Sequence, residues 1–192
     1  FTLIEMMVTM AVAAIIMAVI LFENTKFNNS IILTNAAYEV ALTARQAQVY
    51  GLSSKAVEGG STQRGYGIYA SMDDLINIRL FADVDGGTDF DTSPVSEEIA
   101  GGVALGRGLE IKDICFKRSG TLQCDGGDNN SATIVFRRPN PEAEIRDNLG
   151  SSNGIDLVQI ILGSKNDPSV KRCAVIFKSG QISVKSNENC GT

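Results

Sequence analysis

The hydrophobic and polar positions along the chain fall into three successive patterns, of which the first is an apolar run. Met6 to Phe22 is 17 residues without a charge, and Thr9 is its only polar member. With the four residues before Glu5 added, about twenty residues could span a bilayer as a helix roughly 30 Å long. Glu5 interrupts this zone. Inserting a carboxylate into a membrane costs about 2.5–3.5 kcal/mol, so its presence here indicates a specific role.

The second pattern is amphipathic and covers residues 31–50. One face collects residues that recur at three- and four-residue spacing and are apolar except for the last: Leu33, Ala37, Val40, Ala41, Ala44 and Gln48. We predict one helix from residue 1 to about 51, roughly 77 Å long, with Gly51 as its C-terminal stop. Glu23 to Ser30 is rich in weak helix formers and is a candidate bend, although a continuous helix remains an alternative.

The third pattern consists of short runs rich in β-branched residues and bounded by Gly, Asn, Asp or Pro. Ser179 and Gly180 form a two-residue turn between the last two runs, which indicates a hairpin. Residues 83–108 are Gly-rich and are predicted to be a loop. The predicted strands are 65–70, 76–82, 109–116, 133–137, 156–162, 173–178 and 181–185. The fold class is therefore α+β, with a long N-terminal helix and a β-rich head of antiparallel sheets.

Composition removes several classes of function. The chain has 192 residues and a net charge of −5, from 22 acidic and 17 basic residues, with no His and no Trp. Catalysis and metal binding by histidine are excluded, and no other catalytic constellation is found, so we expect no enzyme. Basic residues form only three pairs: Lys117–Arg118, Arg137–Arg138 and Lys171–Arg172. We therefore do not expect nucleic acid as a partner.

The chain begins with Phe1, and Glu5 lies four residues later. We interpret Phe1 as a new N-terminus that removal of a short leader leaves behind, with a free amine. In a bundle of parallel helices, Glu5 of one subunit can meet the Phe1 amine of its neighbour, so each buried charge gains a partner. Such pairing would set the axial register of an assembly.

The residues F-T-L-I-E and the apolar run after them resemble the N-terminus of type IV pilins and type II secretion pseudopilins over Phe1–Leu21. The resemblance implies that a prepilin peptidase cuts before Phe1 and methylates its amine. It also implies an inner-membrane assembly platform as a partner. The chain departs from the family in having Phe22 where many pilins have proline.

The head resembles the H-type pseudopilin and FimT-like minor pilin group. The resemblance lies in the ARQAQ end of the helix, the run IRLFADVDGGTDFD and the closing CAVIFKSGQI. It implies one long helix packed against two small β-sheets. We divide the chain into a transmembrane or filament-core helix (1–25), its amphipathic continuation (26–52) and a β-rich head (53–192).

Residues 83–98 carry six carboxylates and no Lys or Arg. Clustered carboxylates repel unless a cation lies among them, and Ca²⁺ takes six to eight oxygen ligands. The candidate calcium ligands are Asp83, Asp85, Gly87, Asp89 and Asp91, with Gly87 contributing backbone carbonyl oxygen. The spacing is not that of an EF-hand, and the alternative is a solvated acidic loop whose Asp and Gly residues form turns.

The four cysteines allow three pairings. Pairing of neighbours gives Cys115–Cys124 and Cys173–Cys190, and the second bridge would tie the C-terminus to the last hairpin, as in many pilins. The rival is a zinc site with four cysteine ligands, which lacks any C-x-x-C spacing. We predict the two disulfides.

The sequence thus predicts a structural pilin subunit. Identical subunits would form a helical homopolymer, held in the inner membrane before assembly and present afterwards as an extracellular filament on the bacterial surface. One alternative is a minor pilin or pseudopilin at the tip of a pilus or a type II secretion pseudopilus, with a role in DNA uptake as one option. The other is a membrane-anchored binding domain. No cofactor other than Ca²⁺ is expected.

Overall fold

The structure is a computed structural model that describes most of the chain. The described residues are 2–53, 65–84, 87, 89–91, 97–106, 108–124, 130–165, 167–186 and 189–191; for residues 22–28 only the backbone is described.

One helix dominates the described chain. Helix α1 runs without interruption over Leu3–Leu52, which is 50 residues. The polar residues 23–30 therefore continue the helix and do not bend it out of helical geometry. Gly51 lies inside the helix, not beyond its end. A Cβ on Gly51 would lie 2.3 Å from the carbonyl oxygen of Phe136, so glycine there permits a close approach between the helix and the sheet.

Ten strands follow the helix among the residues that the structure describes. They are β1 (Gly65–Ser71), β2 (Asn77–Asp83), β3 (Glu98–Ala104), β4 (Leu109–Arg118), β5 (Thr121–Gln123), β6 (Ser131–Phe136), β7 (Ala143–Asp147), β8 (Ile155–Ser164), β9 (Lys171–Phe177) and β10 (Ile182–Ser186). They form two five-stranded sheets: sheet A, in the order β3-β2-β1-β6-β7, and sheet B, in the order β10-β9-β8-β4-β5. All pairings are antiparallel. The α+β class with two antiparallel sheets is confirmed.

All seven predicted strands are present, and β9 and β10 pair as the predicted hairpin. Strands β3, β5 and β7 were not predicted. The prediction of a loop over 83–108 is wrong where β3 lies, because Glu98–Ala104 is poor in β-branched residues and is held as an edge strand by pairing with β2.

The main core lies between α1 and the inner faces of both sheets. The helix contributes mainly small residues on the predicted face, including Leu33, Ala37, Val40 and Ala44, each at most 1% exposed. Ile68, Leu80 and Ile134 of sheet A and Ile160, Ala174 and Ile176 of sheet B lie in the same hydrophobic cluster. Small helix side chains let the backbone approach the sheets closely, and the sheets supply the bulk.

A second, smaller core lies on the other face of sheet B. It contains Cys115, Leu157, Ile161, Cys173 and Val175. The two disulfides present are Cys115–Cys124 and Cys173–Cys190, which are the predicted neighbour pairs. The backbone N–H of Gly191 donates to Gln159 Oε1 at 2.9 Å, so the C-terminal residues are tied back onto this face.

Candidate functional site

The N-terminal part of α1 is apolar and has no protein cover within the described chain. Leu3–Leu21 is a 19-residue stretch with a mean hydropathy of 2.5, and none of it is buried. By length and composition this stretch can cross a membrane, a property that signal sequences share. A helix that is hydrophobic on all sides is stable when lipid or other helices surround it.

Glu5 forms a capping box with Thr2 at the start of the helix. The backbone N–H of Thr2 donates to Glu5 Oε2 at 2.7 Å, and the Thr2 hydroxyl donates to the same oxygen at 3.1 Å. In return, the N–H of Glu5 donates to Thr2 Oγ1 at 3.4 Å. A carboxylate at this end of a helix also interacts favourably with the helix dipole.

The capping box gives Glu5 hydrogen-bond partners within its own chain. Sequence reasoning missed this role of Thr2, although the spacing T-x-x-E would have indicated it. Phe1 lies outside the described residues, so its contact with Glu5 of a neighbour stays a prediction.

The second half of α1 has two unlike faces. The face toward the sheets is buried. The opposite face exposes four large apolar side chains, which we call the helix stripe: Ile31, Tyr38, Leu42 and Val49. Their exposed fractions are 43%, 56%, 65% and 59% in that order. Sequence reasoning missed this stripe, because the stronger apolar periodicity of the buried face hides it.

Polar side chains fix the head to α1 at three places. Arg172 on β9 donates to the hydroxyls of Thr34 at 3.2 Å and Ser30 at 3.3 Å. Arg45 donates to the Ile182 carbonyl at 3.1 Å, and Gln48 donates to the Gly180 carbonyl at 3.0 Å. The head is thus attached to the helix from Ser30 onward.

The basic pairs predicted from the sequence each contribute an arginine to the head. Arg172 contacts α1 as described. Arg118 donates to Asp147 at 2.5 Å, and Arg137 donates to Asp83 at 2.5 Å. These arginines stabilise the fold through contacts with their own chain.

Among the candidate calcium ligands, Asp83 is fully buried at the end of β2 and forms an ion pair with Arg137. Arg137 Nη1 also lies 3.9 Å from Glu144 Oε2. A buried carboxylate needs a counter-charge, and here a guanidinium supplies it.

Two further described residues of the acidic segment (residues 83–98) meet a second arginine. Arg146 Nη1 donates to the Gly87 carbonyl at 3.2 Å and lies 3.5 Å from Asp89 Oδ2. Its Nη2 donates to Glu144 Oε1 at 2.9 Å. A chain of alternating charges therefore joins the ends of β2 and β6 to β7 and the acidic segment: Asp83, Arg137, Glu144, Arg146 and Asp89.

Asp91, another candidate ligand, meets a carboxylate through its backbone N–H. The backbone N–H of Asp91 donates to the buried carboxylate of Glu97 at 3.2 Å, and the N–H of Val84 donates to the same carboxylate at 2.9 Å. Asp85 lies outside the described residues. Arginines link Gly87 and Asp89 to Asp83. Calcium binding by the five residues and the alternative of an acidic loop without metal both stay predictions.

Phe90, within the acidic segment, packs on the outer face of sheet A. Its ring stacks on Tyr69 with centroids 4.9 Å apart and meets Phe81 edge-on at 5.5 Å. Arg79 lies over the same ring at 5.8 Å. Burial alone would raise the pKa of Asp74, but hydrogen bonds from Arg79 and Asn77 outweigh it and hold that pKa below its usual value.

Two further places have the composition of binding sites. Asp113, Cys115 and Cys124 lie within metal-binding distance of one another, but the two cysteines form a disulfide, and the thiolate is the metal ligand. A cavity of about 380 Å³ beside β7 is lined by charges of both signs, among them Arg138, Lys178 and Glu142. Neither place favours one class of ligand.

No family model, no curated protein and no solved structure matches this chain.

Proposed function

We propose that this chain is a structural subunit of the pilin class, which polymerises through its N-terminal helix into an extracellular type IV pilus-like filament. One observation carries the proposal. A single helix has one part, Leu3–Leu21, that is exposed and apolar apart from Glu5 and Thr9, and a second half that packs in the core of the head. The position of the apolar half therefore fixes the position of the head.

This construction suits a polymer better than a simple anchor. An anchor needs only an apolar span, which a flexible segment can join to its domain. In this chain the helix is continuous over Leu3–Leu52, and Arg172, Arg45 and Gln48 hold its second half to the sheets. Packing the apolar halves together would place every head in a defined orientation outside the bundle.

Glu5 supports the same proposal. Its carboxylate lies inside the apolar stretch, where a charge costs about 2.5–3.5 kcal/mol on insertion. The capping box offsets part of this cost within the subunit. In an assembly, the amine of Phe1 from a neighbour would supply the opposite charge and set the register. The inner membrane, the prepilin peptidase and the assembly platform belong to this proposal as partners.

A minor pilin or pseudopilin at a filament tip, and a membrane-anchored binding domain, are the alternatives. Imaging of purified surface fibres, with mass spectrometry of their main band, separates them. This chain as the main band supports a major subunit. A trace amount indicates a tip subunit, and its absence from any fibre indicates an anchored domain.

The proposal is tested by Glu5→Ala and Glu5→Gln in the full chain. We expect both variants to remain in the membrane fraction and to form few or no filaments. Removing the charge makes insertion cheaper, so lost insertion cannot explain lost filaments. Glu142→Ala, which removes an exposed carboxylate of the head, is the matched control and should assemble normally. Normal filaments from Glu5→Ala would contradict the role of Glu5.

A further inference from the structure

One end of sheet B lies beside the part of α1 where the head is first attached. The guanidinium of Arg172, at the start of β9, donates to the Ser30 hydroxyl at 3.3 Å. Beyond the other end of the same strand, the Gly180 carbonyl accepts from Gln48. Sheet B therefore runs along the helix. The start of β9 and the end of β8, which pairs with it, lie at the end of the sheet nearest to the Leu3–Leu21 stretch.

This near end of sheet B carries three cations, which we call the basic rim: Lys165, Lys171 and Arg172. Lys165 directly follows β8 and is exposed, and Lys171 is the first residue of β9. None of the three forms an ion pair within the described part of the chain. The basic rim is therefore a local excess of positive charge in a chain whose net charge is −5.

Two described carboxylates lie at the same end of sheet B, and each has a partner other than the rim. Glu110 pairs with Lys112, and this hydrogen bond holds the pKa of Glu110 below its usual value against the opposing effect of burial, with a smaller contribution from the charge of Lys165. Asp167 accepts from the backbone N–H of Ser169 at 3.0 Å. The cations of the rim are therefore not neutralised by these acids.

Sheet A places two more carboxylates at the near end, in the turn after β1. The Leu75 carbonyl accepts from the backbone N–H of Ile111 at 2.8 Å, so this turn lies beside the start of β4. Asp74 pairs with Arg79, whereas Asp73 is exposed. The positive surface is thus confined to sheet B.

The acidic segment begins at the opposite end of the head. Asp83 pairs with Gly65, and both Gly65 and Gly51 of α1 closely approach the Phe136 carbonyl. Gly51 lies 21 residues beyond Ser30, about 32 Å along the helix axis. The head therefore has its basic rim near the apolar stretch and the start of its acidic segment far from it.

The continuous helix fixes the distance from the basic rim to a membrane. Ser30 lies nine residues beyond Leu21, which is about 14 Å along the axis. With Leu21 at the edge of the hydrocarbon, the headgroups occupy about 5–8 Å of this distance. Arg172, at the level of Ser30, is then within about 10 Å of them. Lys171 and Lys165 lie closer, at about 3.3 Å per strand residue, and each carries its ammonium on a flexible four-carbon stem.

We propose that the basic rim is a docking surface for anionic phospholipid headgroups of the membrane that Leu3–Leu21 crosses. Lipid phosphates accept hydrogen bonds from the ammonium groups of Lys165 and Lys171. Lysine and arginine near an anionic lipid surface are attracted to it, and salt screens the attraction. The contact holds the head with the near end of sheet B against the membrane. This inference goes beyond the proposed function, because it concerns a single anchored chain and needs no filament.

The experiment measures the reactivity of individual lysines in the full chain inserted in lipid nanodiscs. The discs contain phosphatidylcholine alone or with a third of phosphatidylglycerol, and the amines are acetylated and quantified by mass spectrometry. We expect phosphatidylglycerol to slow acetylation of Lys165 and Lys171 at least threefold, and about 1 M salt to abolish the difference. Lys178 is the internal control, because it is exposed just beyond the far end of β9 and should react equally in both discs.

A pair of charge reversals tests whether the rim acts as one surface. Lys165→Glu should remove most of the protection of Lys171 by phosphatidylglycerol. Lys178→Glu, the matched control at the far end of the same sheet, should leave that protection unchanged. Lys165 and Lys178 are both exposed in the single chain, so neither substitution disturbs the core.

Several results would overturn the proposal. They are equal acetylation of Lys165 and Lys171 in the two kinds of disc, equal slowing of Lys178, and a chain that does not enter the discs. Inorganic phosphate or duplex DNA, added to discs of phosphatidylcholine, should leave the acetylation rates unchanged. Protection by either of these without protection by phosphatidylglycerol would assign the rim to free phosphate or to nucleic acid instead. Because no filament is involved, each of these failures is distinguishable from failure of the proposed function.

Discussion

The ion pair between Arg137 and Asp83 gives the sharpest prediction for the stability of the head. Asp83 is completely buried, and Arg137 Nη2 lies 2.5 Å from its carboxylate. Arg137→Gln removes the counter-charge and leaves a buried carboxylate without its guanidinium. Breaking a buried pair by removing one partner costs about 3–5 kcal/mol. The Arg137 side chain is 32% exposed, so solvent screens the pair and we take the lower end, about 3 kcal/mol.

The expected loss corresponds to a large thermal shift. A domain of this size loses about 2–4 °C per kcal/mol, so the melting temperature should fall by about 6–12 °C. The assay is thermal unfolding of the full chain in detergent, followed by near-ultraviolet circular dichroism. All four tyrosines lie outside the apolar stretch, so the signal reports on the head and the helix packed in it.

Two control variants test whether the loss of stability comes from the buried ion pair. Glu98→Gln breaks the pair between Arg79 and Glu98, in which Glu98 is 44% exposed, and should cost less than about 1 kcal/mol. Combining Asp83→Asn with Arg137→Gln should recover part of the loss, because a neutral amide needs no guanidinium. A fall for Arg137→Gln no larger than that for Glu98→Gln would refute the argument.

Two further predictions concern a turn and the acidic segment. Gly180→Ala should unfold at a clearly lower temperature than Gly120→Ala in the same assay. Both glycines have positive φ, but a Cβ at Gly180 would lie 2.1 Å from the Pro141 carbonyl oxygen, whereas a Cβ at Gly120 would meet open space. Equal falls in melting temperature for the two variants would contradict the importance of this contact. Chelation of divalent cations should leave the melting temperature unchanged, because arginines already partner the carboxylates of Asp83 and Asp89, while a drop of a few degrees would instead support bound calcium.

The sequence determined the elements whose patterns are long or strongly periodic. The apolar run, the buried face through Leu33, Val40 and Ala44, and the seven predicted strands can be read locally, because burial on one side imposes a fixed period. The neighbour pairing of the cysteines was also predicted, with help from the family resemblance. The T-x-x-E cap was readable but overlooked.

The tertiary structure decided what depends on residues far apart in the chain. Strand β3 exists because β2 lies beside it, not because Glu98–Ala104 favours extended structure. Arg137 and Arg146 are 54 and 57 positions beyond Asp83 and Asp89, so the charge balance of the acidic segment cannot be read from a local count of carboxylates. The exposed stripe on α1 likewise became visible only when the sheets covered the opposite face, because a sequence shows which residues are apolar but not which of them a sheet will reach.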